Sequence, residues 1–296
     1  MPTRRTFLLG SLGAAVVAVV GGYAGVEEGV LPGRIRLAEL TGQCDVDATP
    51  PPSGAPVETG GFASSARKTT VGWSLALPPG TPADDLPVVV VLHGRGGNYA
   101  TAFKDLRLHD FLAAYTKNGG KPFALASVDG GDNTYWHPRR SGDDPIKMLA
   151  DEFLPLLKQR GFETDHIGVL GWSMGGYGAL LLARESHRKN LKNTDVVAAA
   201  AGSPALFTSF ETSAGGAFDD AADFAKYGNL AAQPDVGSIP LHVACGRDDA
   251  FTNTTKRYRS NVSPTPEGGI DKGCHTDGYW RSLAAEQLAF LGSKLT

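Results

Sequence analysis

Short apolar runs alternate along the chain with segments of helical spacing. Residues 88–92, 123–128, 167–170, 196–201 and 241–244 are largely apolar at successive positions rather than at every second one. A strand with one wet face alternates polar and apolar side chains, so unbroken runs of this length suit strands covered on both faces, as in a parallel sheet. Between them, Ile146, Leu149, Phe153 and Leu156 recur at helical intervals. Pro155 should kink or shorten that helix, because proline has no N–H and its ring crowds the preceding turn. Trp280, Ala284, Leu288 and Leu291 mark a closing amphipathic helix. The alternation predicts an α/β architecture: a doubly wound, mostly parallel sheet with helices on both faces. Chemistry is expected on the loops at the strands' carboxyl ends.

The flanking sequence behaves differently. Residues 25–68 hold Thr49-Pro50-Pro51-Pro52-Ser53-Gly54 and Gly60-Gly61 with little apolar periodicity, which reads as an extended Pro/Gly-rich arm ahead of a catalytic domain over 69–296. At the amino end, Thr3-Arg4-Arg5-Thr6-Phe7 precedes an apolar, Gly/Ala-rich stretch to about Ala24. Paired arginines before a mildly hydrophobic stretch predict export by the twin-arginine machinery, and so a secreted or cell-envelope protein. The competing reading of residues 1–24 is a membrane anchor, since roughly 18 apolar residues just span a bilayer.

Charge removes one class of function. Lys and Arg total 28 against 31 Asp and Glu in 296 residues, a formal net charge of −3, with no basic run. A nucleic-acid partner is therefore not expected. Three cysteines, Cys44, Cys245 and Cys274, allow at most one intramolecular bridge. Cys245 with Cys274 is the expected pair, because they flank the candidate acid and base, although Cys44 could reach either.

The strongest chemical signal is Gly171-Trp172-Ser173-Met174-Gly175, directly after the run 167–170 and before a helical pattern through 179–183. A sharp strand-to-helix turn needs small neighbours and lifts the serine hydroxyl above the sheet, making Ser173 the candidate nucleophile. His93-Gly94-Arg95-Gly96-Gly97 follows the run 88–92, where glycines let backbone N–H groups turn inward. The N–H groups of Arg95 and Met174 are the expected oxyanion donors. The acid and base should follow the serine in that order: Asp249, in Cys245-Gly246-Arg247-Asp248-Asp249, and His275, in Gly273-Cys274-His275-Thr276. Asp249 is chosen over Asp248 because the acid usually stands three residues beyond the strand-ending glycine. Tyr135, Trp136, His137 and Arg139 follow the run 123–128 and should overhang the same cleft as an acyl or alcohol subsite, unless Trp136 and Arg139 only brace the loop. No His-Glu-x-x-His, clustered Cys/His or phosphate-loop motif is present, so no metal or nucleotide cofactor is expected.

Taken together, His93-Gly94-Arg95-Gly96-Gly97, Gly171-Trp172-Ser173-Met174-Gly175-Gly176-Tyr177-Gly178, Gly246-x-x-Asp249 and His275 make residues 70–292 resemble the secreted putative-esterase family of α/β-hydrolases. Its relatives include esterase D/S-formylglutathione hydrolases and mycobacterial mycolyltransferases. The resemblance implies a serine hydrolase acting on a small-molecule, lipid or sugar ester through an acyl-enzyme, without a cofactor. The rival activity is acyl transfer to a sugar or other alcohol by the same triad. A non-catalytic binding protein on a hydrolase scaffold would need a decayed triad.

Overall fold

The computed structural model describes residues 40–295. The expected twin-arginine segment, residues 1–24, lies outside the described residues. Eight strands form one sheet in the order β1-β2-β4-β3-β5-β6-β7-β8. They are β1 (Val57–Ser64), β2 (Thr69–Ala76), β3 (Pro87–Leu92), β4 (Ala124–Val128), β5 (Glu163–Trp172), β6 (Asp195–Gly202), β7 (Leu241–Gly246) and β8 (Ile270–Asp271). β1 and β2 are antiparallel to their neighbours, and every pairing from β4 through β3 to β8 is parallel. The mostly parallel α/β sheet is the one the apolar runs predict.

The core divides at the sheet because successive side chains leave a strand on opposite faces. Val88, Val90 and Leu92 pack on one side with Met148, Phe153, Leu157, Leu180 and Leu181. These helical residues belong to α2 (Pro145–Met148, a π turn Leu149–Phe153, then Leu154–Gln159) and α3 (Met174–His187). Val89 and Val91 pack on the other side with Phe111 and Leu112 of α1 (Leu108–Lys117) and Leu288 and Leu291 of α5 (Asp277–Gly292). The remaining long helix, α4 (Thr252–Asn261), follows β7. Pro155 does disturb α2, but by a widened turn: Leu154 N–H reaches back to the Leu149 carbonyl, five residues earlier. A π turn of this kind lets the helix continue where proline supplies no donor.

Two expectations are corrected here. The sheet begins at Val57, inside the segment read as an arm, because β1 pairs along its whole length with β2. At an edge, backbone pairing can hold a strand whose two glycines break the apolar pattern. The disulfide joins Cys44 to Cys274, and Cys245 is a free, buried thiol. Gly246 is the β7 residue turned toward the Gly273 backbone, which would collide with a Cβ there. Its neighbour Cys245 therefore points away, toward Thr252 of α4, at 3.9 Å. Burial, reinforced by the nearby negative charge of Asp249, pushes the Cys245 thiol up to about 12.

Candidate active site

Ser173 stands between β5 and α3 with φ 55° and ψ −121°, in backbone space that glycine normally occupies. The turn is held on both sides. Ser173 N–H donates to the Gly202 carbonyl at 3.0 Å, and its own carbonyl accepts from Tyr177 and Ala205, each at 3.0 Å. A Cβ at Gly171 would strike the Gly175 carbonyl, and one at Gly175 would strike the Leu92 carbonyl. The glycines thus let the helix start press against β3, and the serine takes the strained position between them.

The structure brings His275 and Asp249 to this serine. His275 Nε2 lies 2.9 Å from Ser173 Oγ, and Nδ1 lies 2.8 Å from Asp249 Oδ2. The carboxylate can only accept, so Nδ1 carries the proton and the serine hydroxyl donates to Nε2. The other Asp249 oxygen accepts from Phe251 N–H at 2.8 Å, and the carboxylate is wholly buried. Phe251 and Trp280 flank the imidazole, with ring centroids at 5.4 and 5.0 Å. This chain of atoms can pass the serine proton to Nε2 while the carboxylate steadies the charge that forms.

Arg95, Ser173 and His275 line a cleft of about 510 Å³ together with Tyr135, Phe251 and Trp280. On the loop after β3, Gly96 N–H donates to the Asp132 carbonyl and Gly97 N–H to the Gly94 carbonyl, at 3.2 and 3.1 Å. Met174 N–H heads α3 and belongs to the four helical donors that have no intrahelical acceptor. His93 anchors this loop from below. Its Nδ1–H donates to the Gly94 carbonyl at 2.8 Å, and Nε2 accepts from Gly130 N–H at 3.0 Å.

Of the four residues expected to form a subsite, only Tyr135 reaches the cleft. Burial raises its phenol above the ordinary value, against the opposing pull of the Arg95 charge, so the hydroxyl stays protonated at neutral pH. Trp136 is fully buried beside Gly178, where a Cβ would collide with its ring, and its indole N–H donates to the His93 carbonyl at 3.3 Å. His137 is stacked between Phe218 and Tyr227, at 5.1 and 5.0 Å. Arg139 donates to the carbonyls of Asn133 and Gly216 and pairs with Asp219 at 2.9 Å. These three brace the loop. Phe251 and Trp280 take the wall positions instead, although in the sequence Trp280 marks only a helix face and Phe251 belongs to no motif. Their one visible signal was closeness to Asp249 and His275.

Burial pushes the His137 imidazole below its ordinary value, against the Ala217 carbonyl and the nearby Asp223 charge. A histidine whose pKa is lower in the fold than the value of about 6.5 in the unfolded chain makes stability fall as pH drops below that value, until the folded pKa is reached. Unfolding free energy should therefore fall between pH 7 and 5, by up to about 1.4 kcal/mol per pH unit from this group, and the melting temperature with it. A His137→Gln protein should show a shallower decline. An equal slope in both would remove His137 as the cause.

A family model described as "Putative esterase" matches residues 64–266. Esterase Rv1288 of Mycobacterium tuberculosis (strain ATCC 25618 / H37Rv) is 32% identical over 131 residues, 41% of this chain and 28% of that protein. The chain thus matches only a little over a quarter of the relative's length. Among solved structures, a ferulic acid esterase superposes with a TM-score of 0.69 at 18% identity, over 81% of this chain and 99% of that one. An S-formylglutathione hydrolase from Agrobacterium tumefaciens gives 0.65 at 16% identity, over 85% and 99%. Esterase LipW from Mycobacterium marinum gives 0.57 at 23% identity, over 88% and 86%. At these identities the structural likeness speaks for the fold.

Proposed function

From the premise that the chain belongs to the putative esterase family, we propose that it is a serine esterase that hydrolyses carboxylic esters in two steps. The observation that carries the reading is the continuous chain Ser173 Oγ, His275 Nε2, His275 Nδ1 and Asp249 Oδ2, with gaps of 2.9 and 2.8 Å, at the wall of an open cleft. Ser173 attacks the ester carbonyl as its proton passes to His275. The backbone N–H groups of Arg95 and Met174 face the oxyanion, and the alcohol leaves with the proton from His275. A water activated by the same imidazole then releases the acid. The relative named ferulic acid esterase points to esters of aromatic acids as a first class to try, and the aromatic walls Tyr135, Phe251 and Trp280 suit them.

The test is a panel of p-nitrophenyl esters with acyl chains of rising length plus a feruloyl ester, each assayed with and without sugar acceptors. Free acid as the product is the expected result. Acyl-sugar as the main product would make the protein a transferase, and no turnover of any ester would refute the reading.

Export by the twin-arginine route is part of the same proposal and rests on Arg4 and Arg5. Replacing both by lysine should leave folded precursor in the cytoplasm. Undiminished export of that variant would show that another route is used.

A further inference from the structure

The segment that carries His275 has little regular structure of its own. It leaves β8, which is only two residues long, passes Gly273 at φ 145°, and enters α5 through the Thr276 cap. Backbone bonds of 3.0 Å run from Asp248 N–H to the Gly273 carbonyl and from Thr276 N–H to the Cys274 carbonyl. Packing does not enclose the imidazole, since 31% of the His275 side chain is exposed. Yet Cys274, the residue before it, is 3% exposed and covalently joined to Cys44, 230 positions earlier.

The other end of that bond is well fixed. Arg281 of α5 donates to both Asp47 oxygens at 2.7 Å and to the Asp105 carbonyl at 2.9 Å. The Val46 carbonyl fills the space a Cβ would need at Gly278, and Val46 packs against the cluster of Ala244, Tyr279 and Leu283. Residues 44–48 are therefore seated on the start of α5, and the disulfide carries that anchorage to the backbone beside the imidazole.

We propose that the Cys44–Cys274 disulfide is a positioning element for His275, so that turnover depends on the thiol redox state of this bond. The proposal rests on the reading of His275 as the general base. Reduction by a dithiol cleaves the S–S bond: two electrons and two protons pass to the cysteines, giving two thiols, and the dithiol closes to a cyclic disulfide. The His275 segment then keeps its short strand, its cap and its contacts with the Asp248–Phe251 loop, and loses its covalent tie to residues 44–48. Small displacements of a catalytic group cost rate far more than they cost substrate binding.

The test compares oxidised protein, protein reduced under native conditions, and a Cys44→Ser protein, whose change is remote in sequence from the base. Each is assayed for kcat and KM, for secondary structure by circular dichroism, and for the low-field proton resonance of His275 Nδ1–H bonded to Asp249. Reduction should lower kcat by about tenfold or more with KM within about twofold, and should broaden or remove the resonance. Reoxidation should restore both, and Cys44→Ser should match the reduced protein and ignore the dithiol. If mass spectrometry shows the bond open while kcat and the resonance are unchanged, the proposal is overturned. A lowered melting temperature with both unchanged also overturns it, since the bond would then only stabilise the fold. Should the oxidised protein hydrolyse no ester, the esterase reading fails, and the resonance alone decides whether the disulfide positions His275.

Discussion

Ser173→Ala should lower kcat for ester hydrolysis by about four to six orders of magnitude while leaving the melting temperature within about 2 °C. Only the hydroxyl is lost, and with it the atom 2.9 Å from His275 Nε2. Alanine keeps the Cβ and hence the unfavourable backbone at φ 55°. Ser173→Gly makes the complementary case. It removes the same nucleophile and relieves the strain, so it should be as inactive as the alanine variant and more stable by roughly 1–3 kcal/mol. Activity retained within about tenfold in either variant would mean that another group attacks the substrate.

The second large effect separates two adjacent carboxylates. Asp249→Asn should reduce kcat by about 10⁴-fold. The asparagine oxygen can still accept from Phe251 N–H, which turns its amide NH₂ toward His275 Nδ1. Nδ1 must then accept, Nε2 holds the ring proton, and the imidazole can no longer take one from Ser173. Asp248 has its backbone N–H on the Gly273 carbonyl at 3.0 Å, and its side chain is not the one on His275. Asp248→Asn should stay within about tenfold of the parent. The reverse ranking in kcat at neutral pH would assign the acid role to Asp248.

How far the sequence could be read depended on whether a feature is local. Strands β3 to β7 are buried on both faces, so their own apolar runs announce them. The turn at Ser173 announces itself too, because glycines 171 and 175 are required by carbonyls a few ångströms away. The spacing from Gly246 to Asp249 was enough to pick the carboxylate that the structure sets against His275. Strand β1 was not legible, because its pairing with β2 holds it and its composition, with Gly60 and Gly61, does not. The disulfide was hidden for a similar reason. Converging loops do bring the backbone of Gly273 and Cys274 against β7, but at Gly246, and alternation along the strand turns the Cys245 side chain away. Trp136 and His137 have the composition of a binding surface. Whether such rings face a cleft or the core was decided by residues far off in sequence, Gly178 for one and Phe218 and Tyr227 for the other.

The Arg139 clamp has a bearing on how this cleft could be redesigned. One guanidinium joins the Asn133 carbonyl on the loop after β4 to the Gly216 carbonyl and the Asp219 carboxylate on the segment after β6. The loop it anchors carries Tyr135, a wall of the cleft. Grafting a new loop onto either side alone would separate a part-buried charged fork from the carboxylate and carbonyls it serves, at a cost of up to about 1 kcal/mol for the ion pair. The two segments therefore form a single exchangeable cassette. Substrate range in this scaffold should change by joint replacement of both segments more readily than by independent changes in either one.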